Sequence, residues 1–157
     1  MDTLKNDIKE QSNWIVKAFA ADRLKLDFTI KSFIEIDRFF NKHTINGNPK
    51  KGGRLDTNLG PVLFSLASYI GETIIKNVKG AVWVVDEDAT DGELTMSVQL
   101  PGGGLIYPAQ RVMKRFKNGN EDSMYVYGHH ITKEYTNELF DENYWKLIAK
   151  NPWWKFW

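Results

Sequence analysis

Apolar side chains recur along this chain with two different periods, and the changes of period mark out its elements. From residue 3 to 21, Trp14, Ile15, Ala18 and Phe19 fall three and four positions apart, with Lys5, Lys9, Glu10 and Lys17 elsewhere. That spacing lays a stripe on one face of a helix. Arg23 to Phe28 alternates instead and predicts a short extended link. The helical period returns from Ile30 to Lys42. There Ile30, Phe33, Ile34, Ile36, Phe39 and Phe40 form a wide stripe, Lys31, Glu35, Asp37 and Arg38 are expected outside, and Thr29 or Asp27 can cap the start. So wide a stripe predicts packing on two sides.

His43 to Arg54 holds three glycines, a proline and several basic residues, and predicts a mobile loop. A long helix is expected from Asn58 to Asn77, with Pro61 in its first turn, where a missing N–H costs little. Leu59, Leu63, Leu66, Ile70 and Ile74 make one face, and Ser65, Ser68, Glu72 and Lys76 the other. Gly71 lowers the intrinsic stability of that helix by roughly 1 kcal/mol relative to Ala, so another element is expected to approach closely there. Gly80 ends the helix.

Ala81–Asp86 and Glu93–Leu100 read as an antiparallel hairpin around an acidic loop. The glycines at 102 to 104 turn the chain into a short third strand, Leu105–Tyr107. A helix from Pro108 to about Lys117 should face inward with Val112, Met113 and Phe116 and stop at Asn118-Gly119-Asn120. Another is expected from Glu121 through about Phe140, and Tyr144 to Ala149 adds a last turn. Together these predict one α+β domain over residues 1–157. Its N-terminal helices and a central buried helix would pack on a small antiparallel sheet, followed by C-terminal helices.

Composition narrows the function. The charge is +1, from 21 basic and 20 acidic residues, too balanced to grip a phosphate backbone over a wide area, so no nucleic-acid partner is expected. The chain has no cysteine, which excludes disulfides, thiolate catalysis and cysteine-ligated metals. The opening residues are polar and charged, with no apolar signal core, and the apolar run Leu59–Ile75 is broken by Ser65, Ser68, Gly71 and Glu72. A cytoplasmic location without a membrane partner is therefore expected.

Catalytic patterns are sparse. Gly102-Gly103-Gly104 lacks the Lys-Ser/Thr and the helix that a phosphate loop requires, and suits a turn. His130 and Glu134 have i, i+4 spacing, but no third metal ligand follows, and neighbouring His129 points elsewhere on a helix. Glu72, beside Gly71, suits pairing with Lys76; used as a general base with His129 or His130, it would make an enzyme or small-molecule module. Arg111, Lys114, Arg115 and Lys117 read as helix-surface charge. No catalytic residue, metal or cofactor is expected.

Two features suit a protein partner. Asp86, Glu87, Asp88 and Asp91 form an acidic loop that could face a basic surface, and its spacing does not match a calcium-binding loop. Trp153, Trp154, Phe156 and Trp157 put four large aromatics into five residues, fit for internal packing, a protein interface or a homo-oligomer contact. A membrane surface is the lesser candidate there, with Lys155 alone to assist.

The stretches LDFTIKSFIEIDRFF, LASYIGETIIKNVKGAVW and PAQRVMKRFKNGNEDS, together spanning about residues 26 to 123, resemble small bacterial α+β domains similar to immunity proteins of polymorphic-toxin systems. The resemblance implies an α+β fold and a non-enzymatic role in binding and occluding a toxin.

Overall fold

A computed structural model describes residues 3–149. Helix α1 (Thr3–Ala21) buries Ile8, Ser12, Ile15 and Phe19, one face of the helical period, and packs along the central helix. Trp14, expected in that stripe, is exposed instead, and Ile8 and Ser12 complete the face. A 3-10 turn at Ile30–Ser32 follows, capped by the Thr29 hydroxyl, which accepts the Ser32 N–H at 3.1 Å. It leads into α2 (Phe33–His43).

The glycine-rich stretch after α2 is better ordered than its composition predicts. β1 (Thr44–Ile45) and β2 (Asn48–Pro49) pair antiparallel around Asn46-Gly47, whose φ values of 51° and 74° are those of a two-residue hairpin turn. The Asn-Gly dipeptide was the signal for it. Buried His43 holds the far end of the stretch, because its Nδ1 accepts the Arg54 N–H at 3.2 Å.

The central helix, α3 (Leu59–Asn77), is buried on nearly every side. Ser65 and Ser68, expected on a polar face, lie inside, where the Ser65 hydroxyl donates to Gln11 Oε1 of α1 at 2.7 Å. Gly71 has the close neighbour its position implied, since a Cβ there would overlap the indole of Trp83. The Trp83 indole N–H also donates to Glu72 Oε2 at 3.3 Å, so Trp83, and not Lys76, is the partner of Glu72.

Strands β3 (Val82–Val84), β4 (Ser97–Gln99) and β5 (Leu105–Ile106) form an antiparallel sheet in that order. Trp83, Val98 and Ile106 share its inner face; Val82, Gln99 and Leu105 share the outer. The Leu100 N–H donates to the Gly104 carbonyl at 2.8 Å, closing the glycine turn between β4 and β5, in which Gly103 has φ 92°. The strand expected from Glu93 begins later. Gly92–Thr95 is instead one helical turn, α4, in which the Asp91 carbonyl accepts the N–H groups of Leu94 and Thr95. Glu93, Leu94 and Thr95 are all exposed there, whereas a strand would alternate.

Helix α5 (Pro108–Asn118) buries Val112 and Phe116, but Met113 is exposed and Arg115 takes an inside position. Asp37, expected on the surface of α2, is its partner: Arg115 Nε donates to Asp37 Oδ1 at 2.8 Å, and both side chains are wholly buried. The Asp37 carboxylate also accepts the Met124 and Tyr125 N–H groups, at 2.9 and 3.1 Å, and the Ser123 hydroxyl at 2.7 Å. It thus supplies the negative charge at the N-terminus of α6 (Met124–Thr132). Helix α6 ends at Thr132, short of the expected Phe140. The chain then folds back, stacking Phe140 on Tyr125 at 5.2 Å and setting the Glu138 carboxylate on the Ile30 and Lys31 N–H groups. Helix α7 (Tyr144–Ile148) packs on α2. No helix among the described residues is long and apolar enough to cross a membrane.

Candidate functional site: an apolar groove continued by an acidic loop

The acidic loop follows β3 and crosses the start of α1. Glu87 is spent on that contact: its Oε1 accepts the Leu4 N–H at 2.7 Å and its Oε2 the Lys5 N–H at 3.4 Å, satisfying two of the free donors of the helix end. Asp86, Asp88 and Asp91 remain exposed, with Asp86 Oδ1 accepting the Asp88 N–H at 3.0 Å to shape the turn. The four acidic residues therefore divide into one that anchors the loop and three whose charges face solvent.

Past Asp91 the chain enters α4, and two of that turn's residues, Glu93 and Leu94, line a groove of about 680 Å³ between α1, the start of α3, α4 and α5. Half-buried Leu59, Leu63 and Phe64 of α3 line it, with exposed Leu94 and Met113. The charged side chains among its lining residues are Asp7 and Glu93, both acidic. The local sequence accounts for the position of the groove. Gly92 is packed against Leu4, which draws α4 onto α1, and a side chain at that position would meet the Leu4 methyl at 2.9 Å. Pro61 and Gly60 keep the first turn of α3 free of bulk. Between Lys79 and Arg111 the chain carries no Lys, Arg or His, so the loop and the groove edge form an acidic ribbon beside apolar surface.

Such a surface can bury apolar side chains and attract positive charge. It holds no nucleophile with a base, and among the described residues no three His, Asp or Glu are grouped to hold a metal ion. Leu59, Leu94 and Met113 carried no functional signal in the sequence: Met113 looked like core and Leu94 like strand. The run from residue 80 to 110 without a base was the available clue.

The other candidate residues stand apart from this groove. Glu72 is held by Trp83, His129 packs on Phe140 at 4.8 Å, and His130 lines a separate hollow of about 380 Å³ near Tyr127 and Tyr144. In that hollow the Arg111 guanidinium lies 4.0 Å from the centre of the Tyr127 ring and 3.9 Å from Asp122. Burial raises the Tyr127 hydroxyl pKa, with Arg111 opposing it. Arg115 is withdrawn from the basic cluster by Asp37, which leaves α5 less positive outside than its sequence reads. Trp153, Trp154 and Trp157 lie outside the described residues.

Compared with known proteins, the chain matches no family, no curated protein and no solved structure.

Proposed function

We propose that this chain is a non-enzymatic binding domain that neutralises a protein partner by covering it, and that the partner presents apolar side chains flanked by positive charge. The observation that carries this reading is the continuity of the acidic loop with the apolar groove through α4. Apolar burial supplies affinity in such an arrangement, while exposed Asp86, Asp88 and Asp91 steer a cationic partner and fix its orientation. We take that partner to be a bacterial toxin met in the cytoplasm, as the resemblance read in the central stretches of the sequence implies.

The test is affinity capture from the native host with the intact protein and with Leu94→Glu/Met113→Glu. One stoichiometric protein that is lost with the groove variant, and whose toxicity the intact chain suppresses on co-expression, supports the reading. Equal capture by both forms, or a captured protein whose activity is unaffected, overturns it.

The groove volume also falls within the range of small-molecule sites, roughly 300–1,000 Å³. Its exposed walls favour side chains of a protein over an enclosed ligand.

A further inference from the structure

We propose that the hollow between α5, the 3-10 turn Gly119–Asp122 and α6 binds a free α-amino acid with an aromatic or large apolar side chain, at a site distinct from the groove. Its centre is Arg111. The guanidinium lies 4.0 Å from the centre of the Tyr127 ring, and its Nε is buried with no hydrogen-bond partner among the described residues. Asp122 Oδ1 stands 3.9 Å from Arg111 Nη2, outside hydrogen-bond distance. Two opposite charges are thus neighbours that do not bond, with both side chains only 24% exposed. Each is held by another group: Arg111 by the Tyr127 ring, and Asp122 by Asn118, whose amide donates to its Oδ2 at 2.7 Å. Charged groups drawn out of water without a hydrogen-bond partner cost stability, and a ligand that completes them recovers it.

A zwitterion completes both charges at once. Its carboxylate accepts from the Arg111 guanidinium, whose N–H edge stays available while its face lies over a ring. Its ammonium donates to Asp122. Asn120 adds a donor, because its Oδ1 is taken by Arg115 Nη2 at 3.0 Å, which leaves the amide N–H groups for the ligand. The same charges select against simpler ions. Asp122 and exposed Glu121 repel an anion such as phosphate, and Arg111 repels a plain cation. Tyr127 and Tyr144 supply an apolar wall for the side chain. Tyr144 is fixed there by Tyr125 and Phe140, at 5.7 and 5.5 Å between ring centres. The volume of about 380 Å³ suits a ligand of this size.

Titration calorimetry of the full chain with L-phenylalanine and L-leucine tests this, beside phenylalaninamide, N-acetyl-L-phenylalanine and inorganic phosphate. At least one of the two free amino acids should bind, at one molecule per chain. The two analogues each lack one charge of the zwitterion, and each should bind roughly tenfold more weakly than L-phenylalanine or worse. Arg111→Gln should lose a similar factor for L-phenylalanine and no longer distinguish it from phenylalaninamide. Asp122→Asn should likewise cease to distinguish it from N-acetyl-L-phenylalanine. A purely structural Arg111–Asp122 pair would shift neither preference. The analogue series on the unaltered chain decides the matter even if a variant fails to fold. No binding of either amino acid up to its solubility overturns the proposal. So does binding of either analogue as tight as that of L-phenylalanine, or tighter binding of phosphate.

Discussion

The indole of Trp83 lies against the bare backbone of Gly71, so that β3 and α3 meet closer than any side chain at 71 would allow. Glu72 then holds the indole nitrogen from the same helix at 3.3 Å. This contact sets the sheet on the central helix and fixes where the acidic loop leaves it. Gly71→Ala should therefore destabilise the protein by about 1–3 kcal/mol through overpacking, despite the better helix propensity of alanine. Pairing it with Trp83→Leu should cost less than the two changes added separately. Urea denaturation of the single and double variants measures the coupling.

The Asp37–Arg115 pair joins α2, α5 and the start of α6 in one buried cluster. Asp37→Asn leaves the Arg115 charge buried without its counterion, and should cost roughly 3–5 kcal/mol in urea denaturation. Arg38→Gln, one residue further along α2, removes a partly exposed pair with Glu35 and should cost less than about 1 kcal/mol.

His43 gives the fold a defined pH response. Burial, chiefly, lowers its pKa from 6.5 to about 4; Lys42, Arg54 and Lys50 add to the shift and Asp22 opposes it. Its Nδ1 lone pair accepts the Arg54 N–H only while the ring is neutral. Between these two values the unfolded chain binds a proton that the native protein does not. The contribution is fully present above about pH 6.5, falls as the pH drops, and is lost at about pH 4, up to roughly 3 kcal/mol in all. His43→Leu should be less stable at neutral pH but should lose about one proton's worth of slope over that interval, which urea midpoints at pH 7 and pH 4 would reveal.

The acidic loop should separate into structure and recognition. Glu87→Ala removes the carboxylate that bonds the first turn of α1 and should cost about 0.5–2 kcal/mol of stability. Asp86→Asn/Asp88→Asn/Asp91→Asn should leave the urea midpoint nearly unchanged. The same triple variant should weaken partner binding and flatten its salt dependence, as read by titration at two ionic strengths.

Much of the fold was legible because long helices write their period plainly: α1 spans the expected residues, and α3 begins within a residue of its expected start. The misses have local physical causes. Asp37 and Arg115 are charged, so each reads as surface by itself; only their mutual pairing and the free N–H groups of α6 make burial tolerable, and no pattern in one helix reveals a partner on another. Helix α6 stops at Thr132 because the following residues return to the core through Phe140 and Glu138, a tertiary effect. The acidic loop was visible as charge, but the groove beside it was not, since Leu94 and Met113 become walls only when α4 and α5 converge on the start of α3.

The most direct test of the binding reading is photo-crosslinking in the native host from a reactive residue placed at Leu94, with Ile45 on the β1–β2 hairpin as an exposed control. The account predicts one dominant protein adduct from position 94, absent from position 45 and reduced by the Asp86→Asn/Asp88→Asn/Asp91→Asn change. No adduct at 94, or the same adducts from both positions, would contradict it.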